Sequence, residues 1–248
     1  KLFEDLEHIR ATIVIATNGT GDVYTTRYNR WYSETRQSLF NSLTLTKHFT
    51  IKDIASIPKI GDETSRSILK KICGRECIND RIVKNGSLMY YHNAPLYFTR
   101  GTNFLPYFLN AAGVTISSSV KTIGLIDDTL RDICSSLLNS SLFYMWYVYL
   151  SDCRHLNVRE IGGFPLGYDT MSASNKERLV TLCEKLMEDL KLNKIRKITN
   201  GARNGFMEFD EFKPKPSKPI MDEIDRVLGN HFGFTESELD YIINYDYK

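Results

Sequence analysis

Residues Leu137 to Leu166, LLNSSLFYMWYVYLSDCRHLNVREIGGFPL, constrain this chain more than any other stretch. They read in three parts. Leu137, Leu138, Leu142, Phe143, Met145, Trp146 and Tyr149 mark an apolar helical end. A polar patch follows, Ser151-Asp152-Cys153-Arg154-His155-Leu156-Asn157. Gly162-Gly163-Phe164-Pro165 then ends the helical reading, because Pro165 lacks an N–H and restricts the residue before it. Two readings fit. In the first, a core helix runs into a solvated turn. In the second, the helix holds Arg154, His155 and Asn157 still so that they can read something polar. Pairing of Arg154 with Asp152 or Glu160 is a further option.

The rest of the chain divides around this stretch. With 248 residues it can bury a substantial core, as one large domain or two smaller ones. Residues 11 to 28 read as a hairpin: Ala11 to Ala16 is β-branched and apolar, Asn18-Gly19-Thr20-Gly21 is turn chemistry, and Val23 to Thr26 returns. Ser33 to Leu43 is a short helix candidate. Asp62 to Cys73 is a better one, with a cap at Asp62 or Thr64, a stripe at Ile68, Leu69 and Ile72, and Gly74 as its stop. After Asn85-Gly86, strands are expected at Leu88 to His92, Leu96 to Thr99 and Thr115 to Ser119. Asn175 to Ile198 carries Leu179, Leu182, Leu186 and Leu190 at helical spacing. Lys213 to Ser217 is an extended spacer. A helix entered near Pro219 should end at Gly229, and Thr235 with Glu238 caps the last one. The expected fold is therefore α+β. A hairpin and short helix occupy residues 1–50, a small mixed α/β domain 51–126 and a mainly helical region 127–248.

Charge narrows the partners. Lys and Arg total 32 against 30 acids, but the distribution is uneven. Ile51 to Ile126 holds 10 basic and 5 acidic residues, whereas Pro219 to Lys248 holds 2 and 7. A basic middle suits a polyanion. Tyr90, Tyr91, His92, Asn93, Tyr97, Arg100 and Asn103 put aromatic and amide groups beside basic ones. That mix suits DNA, since Arg can bind guanine, Asn adenine, and tyrosine can pack on sugar. It suits an ordinary small sheet with a wet face equally. Five cysteines and no signal peptide at Lys1 point to reduced thiols in the cytoplasm. Cys73 and Cys77 have no second Cys/His pair at zinc-finger spacing. The apolar run Leu137 to Leu150 is too short to span a membrane.

Three strings carry a family resemblance. Asn139-Ser140-Ser141-Leu142-Phe143, then Ser151-Asp152-x-Arg154-His155-Leu156-Asn157-x-Arg159-Glu160-Ile161 and Phe164-Pro165, resemble the region after the target recognition domain of bacterial N6-adenine DNA methyltransferases. Those enzymes belong to restriction–modification and phage-defence systems. Lys1-Leu2-Phe3-Glu4, the strand Ala11 to Ala16 and Tyr28-Asn29-Arg30-Trp31 resemble the last strands of such a methyltransferase core. Glu238 to Asp246 is similar to the family's C-terminus. The resemblance covers most of the chain, least from about Thr50 to Tyr90.

It implies a target recognition domain within residues 51–126 and double-stranded DNA as partner. A catalytic domain of the same polypeptide would lie outside this chain, a fragment of a larger enzyme. Candidate DNA-binding residues are Arg30, Arg66, Lys70, Lys71, Lys84, Tyr91, Asn93, Arg100, Asn103, Arg154, His155 and Asn157. S-adenosylmethionine is the cofactor expected of the parent enzyme, not of this chain. The family holds it with a Gly-rich loop and holds the flipped adenine with an Asn/Asp-Pro-Pro-aromatic loop. Neither occurs. Gly19-x-Gly21 lies in a predicted hairpin, Gly162-Gly163 follows a helix, and no Pro-Pro pair exists. Walker, His-Glu-x-x-His and Gly-x-Ser-x-Gly motifs are absent as well. The alternative reading is a scaffold in which Asn175 to Ile198 binds a partner helix. Calorimetry of this chain with S-adenosylmethionine is expected to show no heat of binding, and a micromolar dissociation constant would overturn that expectation.

Overall fold

A computed structural model describes residues 12–16, 18–19, 21–30, 32–48, 56–95, 98–201 and 205–245. Lys1 to Glu4, Ala11, Trp31, Leu96, Tyr97 and Asp246, named above, lie outside them. Every described sheet is antiparallel and helices dominate the second half, so the fold is α+β. The first expected hairpin is displaced. Thr12 to Ala16 forms no strand, and Ile13, Val14 and Ile15 are exposed. The observed pair is instead β1 (Tyr24–Thr25) with β2 (Thr46–Lys47). A lone hairpin has no face to bury and gains too little to persist. Helix α1 (Glu63–Ile72) matches its sequence signals: Asp62 accepts the Ser65 amide at 2.7 Å, and Ile68, Leu69 and Ile72 are buried.

The middle of the chain holds β3 (Ile82–His92), β4 (Gly101–Thr102), β5 (Phe108–Asn110), β6 (Gly113–Val114) and β7 (Val120–Leu125). One sheet runs β4-β3-β7. Asn85-Gly86 is a bulge within β3, not a turn before it, because Ile82 and Ser87 both oppose Leu125. A Cβ at Gly86 would lie 2.1 Å from the Leu125 carbonyl oxygen, so the bulge needs glycine there. Residues 115–119 form no strand. Val120 N–H donates to Ser117 O at 2.9 Å, a turn that delays the strand to Val120.

The stretch from Leu137 onward is broken where its polar residues stand. α2 (Asp128–Leu138) and α3 (Ser141–Leu150) are separate helices, and α4 (Val158–Gly162) follows the polar patch. Asn139 Nδ2 donates to Ser135 O and Gly101 O, both at 2.7 Å, while Ser140 Oγ accepts the Phe143 amide at 3.0 Å. The side chains that end one helix and start the next make the split local chemistry. Leu142 to Tyr149 are all buried, so α3 is covered on every side.

α5 (Ala173–Leu192) stops short of the expected Ile198. Asn193 Nδ2 turns back on Asp189 O at 3.0 Å, and the chain enters a hairpin, β8 (Ile195–Gly201) with β9 (Gly205–Glu211). Arg196 reaches Glu208 and Asp210 across the ladder, both at 2.7 Å. The second sheet runs β6-β5-β9-β8, two strands from each side of residues 126 and 127. One hydrophobic cluster likewise extends from Ile60 to Ile242, so that expected domain boundary runs through a shared core. α6 (Lys218–Phe232) continues through Gly229 and ends at Gly233, whose φ of 70° is left-handed. α7 (Glu236–Ile243) packs over Gly229, where a Cβ would stand 3.2 Å from Leu239.

The Thr235–Glu238 capping box has a second task. Glu238 accepts from the Thr235 amide at 2.7 Å, from Lys71 Nζ at 2.6 Å and from Ser67 Oγ at 2.6 Å, fastening α7 to α1. Burial pushes this carboxyl up, but the bonds from Lys71, Ser67 and Thr235 outweigh it and hold it at about 2. A folded value below the usual 4.5 means stability present above pH 4.5 and lost as pH falls toward 2. Glu238→Gln should cost about 2 kcal/mol at neutral pH. It should also flatten the acid limb of a thermal-melting titration, and an unchanged limb would contradict the coupling.

Candidate functional site

Beyond α3 the polar patch is held by its own backbone. Asp152 Oδ1 accepts the amides of Arg154 at 2.8 Å and His155 at 3.2 Å. Cys153 adopts φ 57°, the one positive value among described non-glycine residues, and its Sγ donates to Val148 O at 3.5 Å. Such a conformation costs about 1–3 kcal/mol and survives only where surroundings fix it. Lys59 Nζ donates to Ser151 O at 2.6 Å, and burial lowers the Lys59 pKa there. Asn157 N–H donates to Glu160 Oε2 at 3.0 Å. The result is a ledge with pinned amides and exposed Arg154, His155 and Asn157 side chains.

The other half of the site comes from the β3 end. Leu156, buried between the exposed residues, donates its amide to Asn93 O at 2.8 Å. Asn93 N–H in turn donates to Ser119 O at 2.9 Å. Two stretches far apart in sequence therefore meet through one backbone bond. Along β3 the side chains alternate. Met89 and Tyr91 are buried in the core, and burial raises the Tyr91 pKa. Tyr90 and His92 take the opposite face, half-buried. Arg100, whose backbone carbonyl accepts the His92 amide at 3.3 Å, lies 5.0 Å from the Phe212 ring centroid. Burial pushes its guanidinium down to about 10.

Of the twelve candidates, Asn93, Arg100, Arg154, His155 and Asn157 gather here, with Tyr91 directed inward. The others are held elsewhere. Arg66, Lys70 and Lys71 lie on α1, where Arg66 pairs with Glu63 at 3.2 Å and Lys71 with Glu238. Lys70 is exposed, and Lys84 is exposed beside the β3 bulge. Asn103 gives its amide to Asp132 Oδ1 at 2.9 Å, and Arg30 Nη2 donates to Tyr144 Oη at 3.3 Å. Tyr90 and His92, part of the aromatic and amide mix but not of the twelve candidates, are neighbours here. Alternation along β3 separates them from Tyr91.

Internal pairing of Arg154 is not observed. Glu160 bonds Arg159 at 2.6 Å, and Arg154 makes no ion pair among the described residues. No cluster of His, Cys, Asp or Glu among the described residues could hold a metal ion. No described helix is long and apolar enough to cross a membrane. No family model, curated protein or solved structure matches the chain. Arg154→Ala should therefore change stability by about 0.5 kcal/mol or less in a thermal melt. A larger loss would mean that the guanidinium is structural.

Proposed function

We propose that this chain is the DNA-binding, sequence-recognition portion of a site-specific adenine-N6 DNA methyltransferase from a restriction–modification system. Methyl transfer to a flipped adenine would belong to a catalytic domain of the same polypeptide, which binds S-adenosylmethionine. The compartment that fits is the cytoplasm. The observation that carries this reading is the bond from Leu156 to Asn93. It makes one ledge of two stretches, each rich in groups that bind phosphates or base edges, and backs it with a rigid core. Recognition on DNA depends on such rigidity. Two further features support it. Ile13, Val14 and Ile15, at 55%, 79% and 86% exposure, are strand-forming residues with no sheet of their own among the described residues, as expected of a segment that completes another domain's sheet. The first and last strings, in chain order, behind the family resemblance also pack on α3, the helix between the two parts of the central one: Arg30 contacts Tyr144, and Tyr149 packs edge-on to Tyr245.

The scaffold alternative required a free apolar seam on the helix beginning near Asn175. Of its four leucines Leu179, Leu186 and Leu190 are instead buried within the chain and Leu182 is half-buried, with Ser136 Oγ donating to Leu179 O at 2.9 Å. That leaves no observation to favour it.

Fluorescence anisotropy with a labelled duplex tests the DNA reading. With roughly three to five phosphate contacts, log K should fall against log salt with a slope of about −3 to −4. Arg154→Ala should weaken cognate and scrambled duplexes alike if it meets a phosphate. It should relax preference at one position, by about 1–3 kcal/mol, if it meets a base. Affinity indifferent to salt, or absent altogether, would reject the reading.

A further inference from the structure

The outward face of the β4-β3-β7 sheet carries a cation that no described residue neutralises. Arg100 is half-buried, yet among the described residues its guanidinium makes no ion pair and no hydrogen bond; its one close partner is the Phe212 ring. A charge withdrawn from water without a partner destabilises a fold, and proteins tolerate local conflicts of this kind at functional sites. Its neighbours are donors too. Ala94 N–H donates to His92 Nδ1 at 3.3 Å, which leaves the neutral ring's proton on Nε2. Burial, then the nearby Arg100 charge, lower the His92 pKa and keep the ring neutral. Tyr90, two residues earlier on the same face, has a hydroxyl with no bond among the described residues.

Tyr90, His92 and Arg100 line one crease together with Tyr91, Thr102, Pro106 and Val120, and among the described residues no carboxylate lines it. Size decides what fits. The crease encloses no space large enough for a water molecule, against the roughly 300–1,000 Å³ of pockets that enclose small molecules. Nothing fits inside, so a ligand can meet these half-buried side chains only from outside, as a single oxyanion on a larger molecule would. A guanidinium fork is suited to phosphate. The crease also adjoins the ledge, since Asn93 directly follows His92 and accepts the Leu156 amide.

We propose that this crease binds one phosphate oxyanion through the Arg100 guanidinium, His92 Nε2–H and Tyr90 hydroxyl, and that the phosphate belongs to the backbone of bound DNA. The oxyanion site stands on its own geometry; only its owner rests on the DNA reading above. Arg100 would then anchor the duplex while the exposed ledge beside it reads or positions the next groups along.

The whole chain is used in two arms. In the first, sodium phosphate replaces sodium chloride at constant ionic strength while the His92 ring is followed by NMR. A saturable shift is expected, lost in Arg100→Gln and not reproduced by sodium acetate. In the second, anisotropy with a duplex should show Arg100→Gln weakening cognate and scrambled DNA alike, roughly tenfold, with the salt slope shallower by about 1. Arg100→Lys should retain part of both responses, keeping charge but losing the fork. The melting temperature of Arg100→Gln should be unchanged or higher, because an unpaired charge has been removed. No phosphate response in the parent chain overturns the site, whether or not DNA binds. A phosphate response with duplex affinity unaltered by Arg100→Gln overturns DNA as the owner and assigns the crease to a free phosphate. A lower melting temperature with both binding responses intact makes Arg100 a structural residue and overturns the proposal.

Discussion

A helix that meets no water must have the free amides of its first turn satisfied by the protein. For α3 that partner is Asp225, 1% exposed on α6, whose two oxygens accept the amides of Ser141 and Leu142 at 3.1 Å each. Burial drives this carboxyl upward, to about 6, against the pull of the two amides and Lys218. At neutral pH it remains ionised, a negative charge at the positive end of the helix dipole. The contact settles more than a cap. It locks α6 to α3, and with α3 fixed the directions of Tyr144, Trp146 and Tyr149 are fixed as well.

Those three side chains connect the ends of the sequence. Tyr149 Oη lies 2.6 Å from Ser65 Oγ, which lies 2.9 Å from Tyr241 Oη, and Tyr241 donates to Asp62 at 2.9 Å. Tyr245 packs against both Tyr144 and Tyr149. Trp146 donates its indole N–H to Glu160 O at 3.0 Å and meets Phe164 edge-on, so the far end of the polar patch is anchored to the helix that precedes it. Arg30, the central helix and the C-terminal tyrosines are thus one packed unit. A change in any of them alters the fit of the others.

What the sequence made legible is what short-range chemistry controls. α1 and the last helix begin at capping residues that name themselves, Asp62 and Thr235, and their apolar stripes face inward. The end of α5 was not legible, because Leu186, Leu190, Lys194 and Ile198 continue a helical spacing that no local rule interrupts. The acids that pair with Lys194 and with Arg196 in the strand stand at Glu208 and Asp210, beyond any helical window. The break at Asn139 and Ser140 was written in the sequence as a cap, yet it reads equally as a polar flaw in an apolar run. In the candidate site, residue type chose Tyr91, whereas the period of a strand separates buried Tyr91 from Tyr90 and His92. The bond from Leu156 to Asn93 has no sequence signature at all. Its partners are main-chain atoms.

The basic excess between Ile51 and Ile126 overstates what a polyanion can meet. Arg66 and Arg81 are paired with acids, Lys71 fastens α7, Lys59 closes the end of α3, and Arg75 donates to His231 O at 3.3 Å. Cations committed in this way hold elements together and are not available to a ligand without loss of structure. Arg100 and Arg154 are different in kind, one desolvated against Phe212 and one in water, and neither has an anion among the described residues. Both stand on backbone already fixed by hydrogen bonds, Arg100 by the His92 amide just before β4 and Arg154 by the Asp152 side chain. Ordering on contact would therefore fall on side chains alone, a smaller entropic cost than folding a loop around a ligand. Charge counted along a sequence cannot distinguish the two classes. Charge left over after internal pairing can, and Arg100 and Arg154 carry such charge where the β3 end meets the tail of α3.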